Sequence, residues 1–218
     1  PVSTYYTING QQVAEAKIVC PQFGAWEITA RLASSTGVVV GQPATFEADG
    51  VAQFAGEVAK LSVFSERIRV SIKPKGTAIF SKLSPVFLQR ITKKALADFV
   101  ASFIATKANY YAPDGGKMLE SVTLHAGLNG MQFLGEHFER VRFSPFSELV
   151  IGENVTTNSG DFTQQDETSF VDTGLIQLAI NNDFLLQPDD FWLYYRVKNV
   201  TYQLDSSPRI TAGVELVQ

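Results

Sequence analysis

The sequence is poor in the residues that build catalytic or metal sites. It contains one cysteine and two histidines. Cys20 cannot form an internal disulfide, and its apolar neighbours predict a buried, unreactive thiol. Glu136 precedes His137, but the second histidine that a helical zinc motif requires is missing. No Gly-x-Ser-x-Gly elbow and no Gly-Lys-Ser/Thr phosphate loop occurs. We therefore expect no enzyme activity, no cofactor and no metal.

Charged residues and long apolar runs are also scarce. Only 18% of the residues are charged, whereas 16 are phenylalanine. This balance is typical of a subunit whose surface is covered in an assembly, and equally of a large β-sandwich core. The net charge of -4 argues against nucleic-acid binding. Because no apolar run reaches roughly 18 residues and no signal peptide is recognisable, we expect no membrane insertion and synthesis in the cytoplasm.

Alternating apolar and polar residues predict strands over most of the first 82 residues. Residues 25–33 and 66–72 alternate most clearly, and Asn9-Gly10 and Asp49-Gly50 are strong turn signals. Gly56 lies inside a strand pattern, which indicates a bulge or a close backbone approach. Short strands with turns every eight to twelve residues are typical of a small barrel or sandwich.

One long segment, residues 84–111, has the pattern of a helix. Ser84 suits the N-cap and Pro85 the first helical position, and apolar residues then recur at three- and four-residue spacings. A break near Thr92, with a second and shorter helix starting there, is an alternative. Turn residues between 109 and 116 end the segment.

The remaining residues predict a small mixed region followed by more strands. Residues 119–125 alternate, residues 131–138 have helical spacing, and residues 140–143 and 149–151 are typical of a hairpin. Further strands are predicted at residues 175–180, 191–197, 200–204 and 210–217. We therefore predict a mostly β fold, a barrel or sandwich built from residues 1–82 plus 155–218, with an α+β insertion at residues 83–154 that carries one main helix.

Three aromatic residues are candidates for an interface or a ligand site. Trp192 and Tyr194 alternate on one strand face, and together with Trp26 they could stack against sugars. This would make the chain a carbohydrate-binding β-sandwich, although core or subunit-interface positions are favoured. A second alternative is a cell-wall glycan hydrolase that uses Glu136 or a nearby acid.

The polar segment 156–168 contains three acidic residues that could ligate calcium. They are Asp161, Asp166 and Glu167. Their spacing lacks the regular alternation of a known calcium loop, so a solvated loop is favoured.

Several short motifs resemble the start of hub or baseplate proteins of tailed bacteriophages. They are Thr7-Ile8-Asn9-Gly10, Pro21 with Phe23-Gly24-Ala25-Trp26, and Phe54-Ala55-Gly56-Glu57-Val58. The predicted order of helix, strand, small helix and a hairpin ending in Leu149-Val150-Ile151-Gly152 also resembles the small α+β domain inserted in such hubs.

This resemblance implies a structural protein of the virion tail, assembled in the host cytoplasm. Hubs of this kind are commonly trimers that form a ring at the tail tip, and they join the tail tube to distal tail, fibre or spike proteins. The functional surfaces of the family are broad interfaces, so the resemblance assigns no catalytic residue. Because full-length hubs are usually longer, it implies a reduced hub or a neighbouring tail-tip subunit.

Overall fold

The computed structural model describes residues 5–64, 67–77, 85–104, 106–125, 130–152, 174–179, 186–192 and 195–216. Within these ranges the fold is mostly β, with two helices. None of the described helices is long and apolar enough to cross a membrane. The predicted fold class, a mostly β barrel or sandwich with a small α+β part and one main helix, is confirmed.

The first six strands form a closed antiparallel barrel. They are β1 (Tyr6–Ile8), β2 (Gln11–Cys20), β3 (Glu27–Leu32), β4 (Pro43–Ala48), β5 (Val51–Phe64) and β6 (Arg67–Lys73). The order around the barrel is β1-β4-β5-β6-β3-β2, and β1 also pairs with β2, which closes the circle. The predicted turns at Asn9-Gly10 and Asp49-Gly50 are confirmed. All four residues have positive φ, from 49° to 79°, as a two-residue hairpin turn requires.

Alternation along the barrel strands separates a packed interior from an outer face. In β3, Ile28, Ala30 and Leu32 are buried, whereas the residues between them point outward. Ile28 lies directly opposite Ile72 of β6, so the buried residues of neighbouring strands meet in the interior. Gly56 confirms the predicted close approach, because a Cβ there would lie 2.1 Å from the carbonyl oxygen of Lys73.

A smaller α+β region follows the barrel. It contains β7 (Val86–Thr92), α1 (Lys93–Phe103), β8 (Ala108–Tyr110), β9 (Met118–Leu124), α2 (Gly130–His137), β10 (Val141–Phe143) and β11 (Leu149–Ile151). β7 pairs with β9, and β11 lies between β10 and β8. The predicted short helix and hairpin correspond to α2 and to β10–β11.

The prediction of one helix over residues 84–111 is wrong. The helix begins only at Lys93, and the Thr92 hydroxyl accepts a hydrogen bond from the Ala95 backbone N–H at 3.2 Å. The alternative of a shorter helix starting near Thr92 is therefore confirmed. The segment before it is β7, which pairs antiparallel with β9, and β8 occupies the end of the predicted helix. Ser84, the predicted N-cap, lies outside the described residues.

The last strands extend the barrel sheet on one side. They are β12 (Leu175–Ala179), β13 (Phe191–Trp192), β14 (Tyr195–Leu204) and β15 (Arg209–Leu216). β14 pairs with β2, β15 with β14, and β12 with β15. The sequence predicts two separate strands at residues 191–197 and 200–204, but β14 runs through the expected break with only a register shift between Val197 and Asn199.

Candidate functional site

Of the three candidate aromatics, Trp26 lies in the core. Its side chain is 2% exposed and its ring meets Phe54 edge-on, with centroids 5.3 Å apart. The indole N–H donates to the carbonyl oxygen of Ser144 at 2.7 Å, which satisfies the one polar group of the ring. Ser144 lies in the β10–β11 connection, so Trp26 joins the barrel to the α+β region.

The other two aromatics lie near the edge of the described structure. Trp192 closes β13, and its backbone pairs with Tyr195 of β14. The side chain of Trp192 and the whole of Tyr194 lie outside the described residues, so an interface or ligand role for the three aromatics stays a prediction. The neighbouring Arg196 contacts a buried aspartate instead.

A buried charge cluster is centred on Asp189, whose side chain is 1% exposed. Its carboxylate accepts hydrogen bonds from Gln22 Nε2 at 3.3 Å, Arg140 Nη1 at 3.1 Å and Arg196 Nη2 at 3.4 Å. Arg142 Nε lies 3.5 Å from its other oxygen. Gln22 follows β2, and Arg196 lies in β14. Arg140 directly precedes β10, and Arg142 lies within it. The carboxylate therefore joins three parts of the chain that are distant in sequence.

The backbone holds the Asp189 carboxylate in this position. Asp189 has a φ of 74°, a conformation that aspartate tolerates better than most residues. Its N–H donates to the carbonyl oxygen of Val197 at 2.8 Å, and the Val197 N–H donates to the backbone carbonyl oxygen of Asp190 at 2.9 Å. A carboxylate whose oxygens already accept hydrogen bonds from three side chains suits a structural junction better than proton transfer.

A cleft of about 520 Å³ lies beside the start of α1. Its lining includes Lys93, Tyr110, Asp114 and Glu139. Lys93 donates to the carboxylate of Asp114, and the Tyr110 hydroxyl donates to the same side chain at 2.9 Å. The Lys93 hydrogen bond lowers the pKa of Asp114, and burial together with the bond to Asp114 raises the pKa of Tyr110. A general acid needs a raised pKa, so the lowered pKa of Asp114 argues against that role.

The acids and histidines singled out in the sequence do not converge on a site. Glu136 is exposed on α2, and His125 is exposed at the end of β9. His137 packs edge-on against Phe133 with centroids 4.8 Å apart, and burial lowers its pKa. Among the described residues no group of three potential metal ligands occurs. The acidic residues 161, 166 and 167 lie outside the described part of the chain.

Large apolar side chains are exposed at one end of the barrel. Phe64 is 83% exposed and the adjacent Val63 is 58% exposed, at the end of β5. Exposed apolar residues that lie together mark surfaces that other molecules cover. The alternation that predicts strands over most of the first 82 residues does not reveal this exposure. Its signal is two consecutive apolar residues at the end of a strand pattern, where one of them must face water.

No protein-family model and no curated protein sequence matches the chain. Solved structures do match. The 43 kDa tail protein of prophage MuSo2 from Shewanella oneidensis superposes with a TM-score of 0.67 at 12% identity, over 98% of this chain and 96% of that one. The tail protein from Neisseria meningitidis MC58 gives 0.63 at 10% identity, over 97% and 95%.

A third similar structure comes from a secretion system. The E. coli c3393 protein is a component of the type VI secretion system with structural similarity to the T4 bacteriophage tail proteins gp27 and gp5. It superposes with a TM-score of 0.61 at 12% identity, over 98% of this chain and 77% of that one. The chain therefore has the fold of these phage tail proteins and of this secretion-system component.

Proposed function

We propose that the chain is a structural protein of a phage tail tip or baseplate, hub-like, which self-associates in a ring. The observation that carries the proposal is the extent of the shared architecture. The closed barrel, the α+β region and the sheet extension together superpose on nearly the whole of a phage tail protein.

The surface of the chain supports self-association. Phe64, Val63 and other large apolar side chains are exposed, and the chain carries little charge for its size. A ring covers such surfaces, because each copy offers one patch to the next copy and receives its neighbour on another. By the resemblance stated above, a trimer is favoured.

We also propose a division of the chain into two parts. Residues 1–82 plus 155–218 would form the β layer, and residues 83–154 an α+β insertion. The pairing of β2 with β14 supports this, because it joins the first and last parts of the sequence in one sheet. The barrel layer would supply the ring, and the insertion would stand beside it.

We also propose that the ring joins the tail tube to distal tail, fibre or spike proteins in the assembled virion. The structural likeness to two tail proteins supports this setting. The likeness to the E. coli c3393 protein, a component of the type VI secretion system by its description, extends the comparison beyond phages. No catalytic role is included.

Solution mass and electron microscopy test the proposal. Analytical ultracentrifugation of the 23.9 kDa chain should show a closed oligomer, and particles averaged from micrographs should show a ring. Antibody labelling of virions should place the chain at the tail tip. A particle that stays monomeric at every concentration, and that is missing from tail fractions, would refute it. Glycan binding lost in Trp192→Ala would instead favour the carbohydrate-binding alternative.

A further inference from the structure

The cleft beside the start of α1 lies at one end of the three-stranded sheet of the α+β region. β8 and β11 are parallel, and the residues that end both strands line the cleft. β10 is antiparallel to β11, so it begins at the same place. In open α/β sheets, ligands bind outside the carboxyl ends of parallel strands. The volume of about 520 Å³ is also that of an ordinary small-molecule site.

Backbone contacts fix the walls of this cleft. The Tyr111 N–H donates to the carbonyl oxygen of Ile151 at 2.8 Å, and the Gly152 N–H donates to that of Arg140 at 3.0 Å. Gly152 has a φ of 85°, and a Cβ there would lie 2.5 Å from the backbone nitrogen of Ala112. Glycine therefore allows the two segments to lie this close. A site whose walls are already fixed loses little conformational entropy when it binds a ligand.

Several charged groups of the lining already have partners in the chain. Lys93 and the Tyr110 hydroxyl both donate to the carboxylate of Asp114. Arg140 donates to Asp189, which lies outside the lining of the cleft. The first three backbone N–H groups of α1 also donate to acceptors within the chain. The cations and the helix start are thus engaged from within, which argues against an anionic ligand.

Two side chains of the lining are available to a ligand. Within the described ranges, Glu139 and the Tyr111 hydroxyl form no hydrogen bond and no ion pair. Glu139 is exposed, and Tyr111 is 48% exposed. Glu139 precedes β10 and Tyr111 follows β8, so the two lie on opposite sides of β11. A ligand between them would meet a carboxylate that accepts hydrogen bonds, a phenolic hydroxyl and a flat aromatic ring.

The charge of the lining favours a neutral ligand. It contains two cations, Lys93 and Arg140, and two carboxylates, Asp114 and Glu139, so its formal charge is zero. A sugar ring is neutral, carries C–H groups on one face that pack against an aromatic ring, and bears hydroxyls that donate to carboxylates. Tyr111 and Glu139 supply these two kinds of partner.

We infer that the cleft binds a neutral saccharide, with Tyr111 stacked on the apolar face of one sugar ring and Glu139 accepting hydrogen bonds from its hydroxyls. The site is distinct from the strand of Trp192 and Tyr194, which the sequence suggests for the same class of ligand. It does not require ring formation, and it adds a ligand site to the proposed structural role.

Binding by the unmodified chain is the first test. A glycan array surveys saccharides broadly, and saturation-transfer NMR with cellotriose, maltotriose and chitotriose measures binding in solution. At least one saccharide should bind with a Kd on the order of 1 mM, because one stacked ring and a few hydrogen bonds give modest affinity. Since the ligand is neutral, the Kd should change by less than about twofold between about 50 and about 500 mM salt.

Substitutions in the cleft locate the site. Tyr111→Ala and Glu139→Gln should each weaken binding about tenfold, because one removes the stacking ring and the other the charged acceptor. Tyr5→Ala is the matched control for the ring, since Tyr5 is 50% exposed on the barrel. Glu136→Gln is the control for the acid, because Glu136 is exposed on α2 and does not line the cleft. Both controls should bind as the wild type does.

The outcomes separate this inference from the proposed function. If the wild type binds no saccharide on the array or in solution, the inference is overturned, and sedimentation still decides ring formation. If binding survives both cleft variants but is lost in Trp192→Ala, the saccharide binds elsewhere and the inference is overturned. Binding of trilysine in place of any saccharide, lost in Glu139→Gln, would make the cleft a cation site and also overturn it. A monomeric chain that binds a saccharide through Tyr111 would refute self-association and support the inference.

Discussion

Replacing Gly56 with alanine would test how tightly the barrel is closed. A Cβ at this position lies 2.1 Å from the carbonyl oxygen of Lys73 and 2.8 Å from the ring of Trp26, whereas ordinary contacts begin at 3.4 Å. The first neighbour is backbone of β6. The second is an indole fixed by its hydrogen bond to Ser144. Neither can turn aside as the end of a flexible side chain would.

The expected cost follows from three contributions. Forcing a methyl group into a packed site costs about 1–3 kcal/mol. A shift of Trp26 that weakens its hydrogen bond to Ser144 adds about 1 kcal/mol. Alanine also lowers the conformational entropy of the unfolded chain, which stabilises the fold by about 0.4–1 kcal/mol. We therefore expect Gly56→Ala to lower the free energy of unfolding by about 1–3.6 kcal/mol, with a central value of about 2.3 kcal/mol.

Urea unfolding followed by tryptophan fluorescence measures this change. With a slope of about 2–3 kcal/mol per molar urea, the midpoint should fall by about 1 M at unchanged slope. Gly116→Ala is the control, because a Cβ there meets nothing within 4 Å and its backbone is not left-handed. The free energy of unfolding of that variant should lie within about 0.5 kcal/mol of the wild-type value. Equal midpoints for Gly56→Ala and the wild type would refute the close approach.

Three further predictions concern charge, thiol and pH. Asp189→Asn removes the carboxylate from its arginine partners, so urea unfolding should show a free energy of unfolding lower by about 3–5 kcal/mol. The control variant Asp98→Asn, at an exposed position, should change that free energy by less than about 1 kcal/mol. Burial raises the pKa of Cys20 to about 12, so a thiol reagent should modify it only as the chain unfolds; rapid modification of the folded chain would contradict this. The hydrogen bond from Lys93 lowers the pKa of Asp114. The pair therefore stabilises the fold fully above the ordinary aspartate pKa of about 3.9, and this stabilisation is lost as pH falls through the lower pKa of the folded state. The stability difference between wild type and Asp114→Asn should therefore shrink with acidification, and a constant difference would count against the ion pair.

The barrel could be predicted from the sequence because its signals are local. Alternation in β3 and β6, and the Asn9-Gly10 and Asp49-Gly50 turns, each act over a few residues. β7 could not be predicted in this way. Its apolar residues fit helical spacing as well as alternation, and pairing with β9, about thirty residues further on, decides between the two.

The candidate surfaces depend on register and on long-range contacts, which no local pattern reveals. The sequence shows that Arg67 and Arg69 alternate outward from β6. That Arg31 lies opposite Arg69 follows only from the pairing of β3 with β6. Likewise, Pro188-Asp189-Asp190 has the pattern of a solvated turn, whereas the fold buries Asp189 among donors from three distant segments.

The contacts between the barrel and the α+β region bear on the proposed role. Trp26 binds the carbonyl of Ser144 at one end of β10, and Arg140 and Arg142 bind Asp189 at the other end. Two buried polar anchors on one short strand resist rotation as well as separation, which a single contact does not. If the chain joins a tail tube to distal proteins, a load on the α+β region would pass into the ten-stranded sheet through both anchors. Asp189→Asn should then free one end of β10, so hydrogen exchange at β10 and β11 should rise by more than exchange in the barrel strands, which should rise only as far as global stability falls.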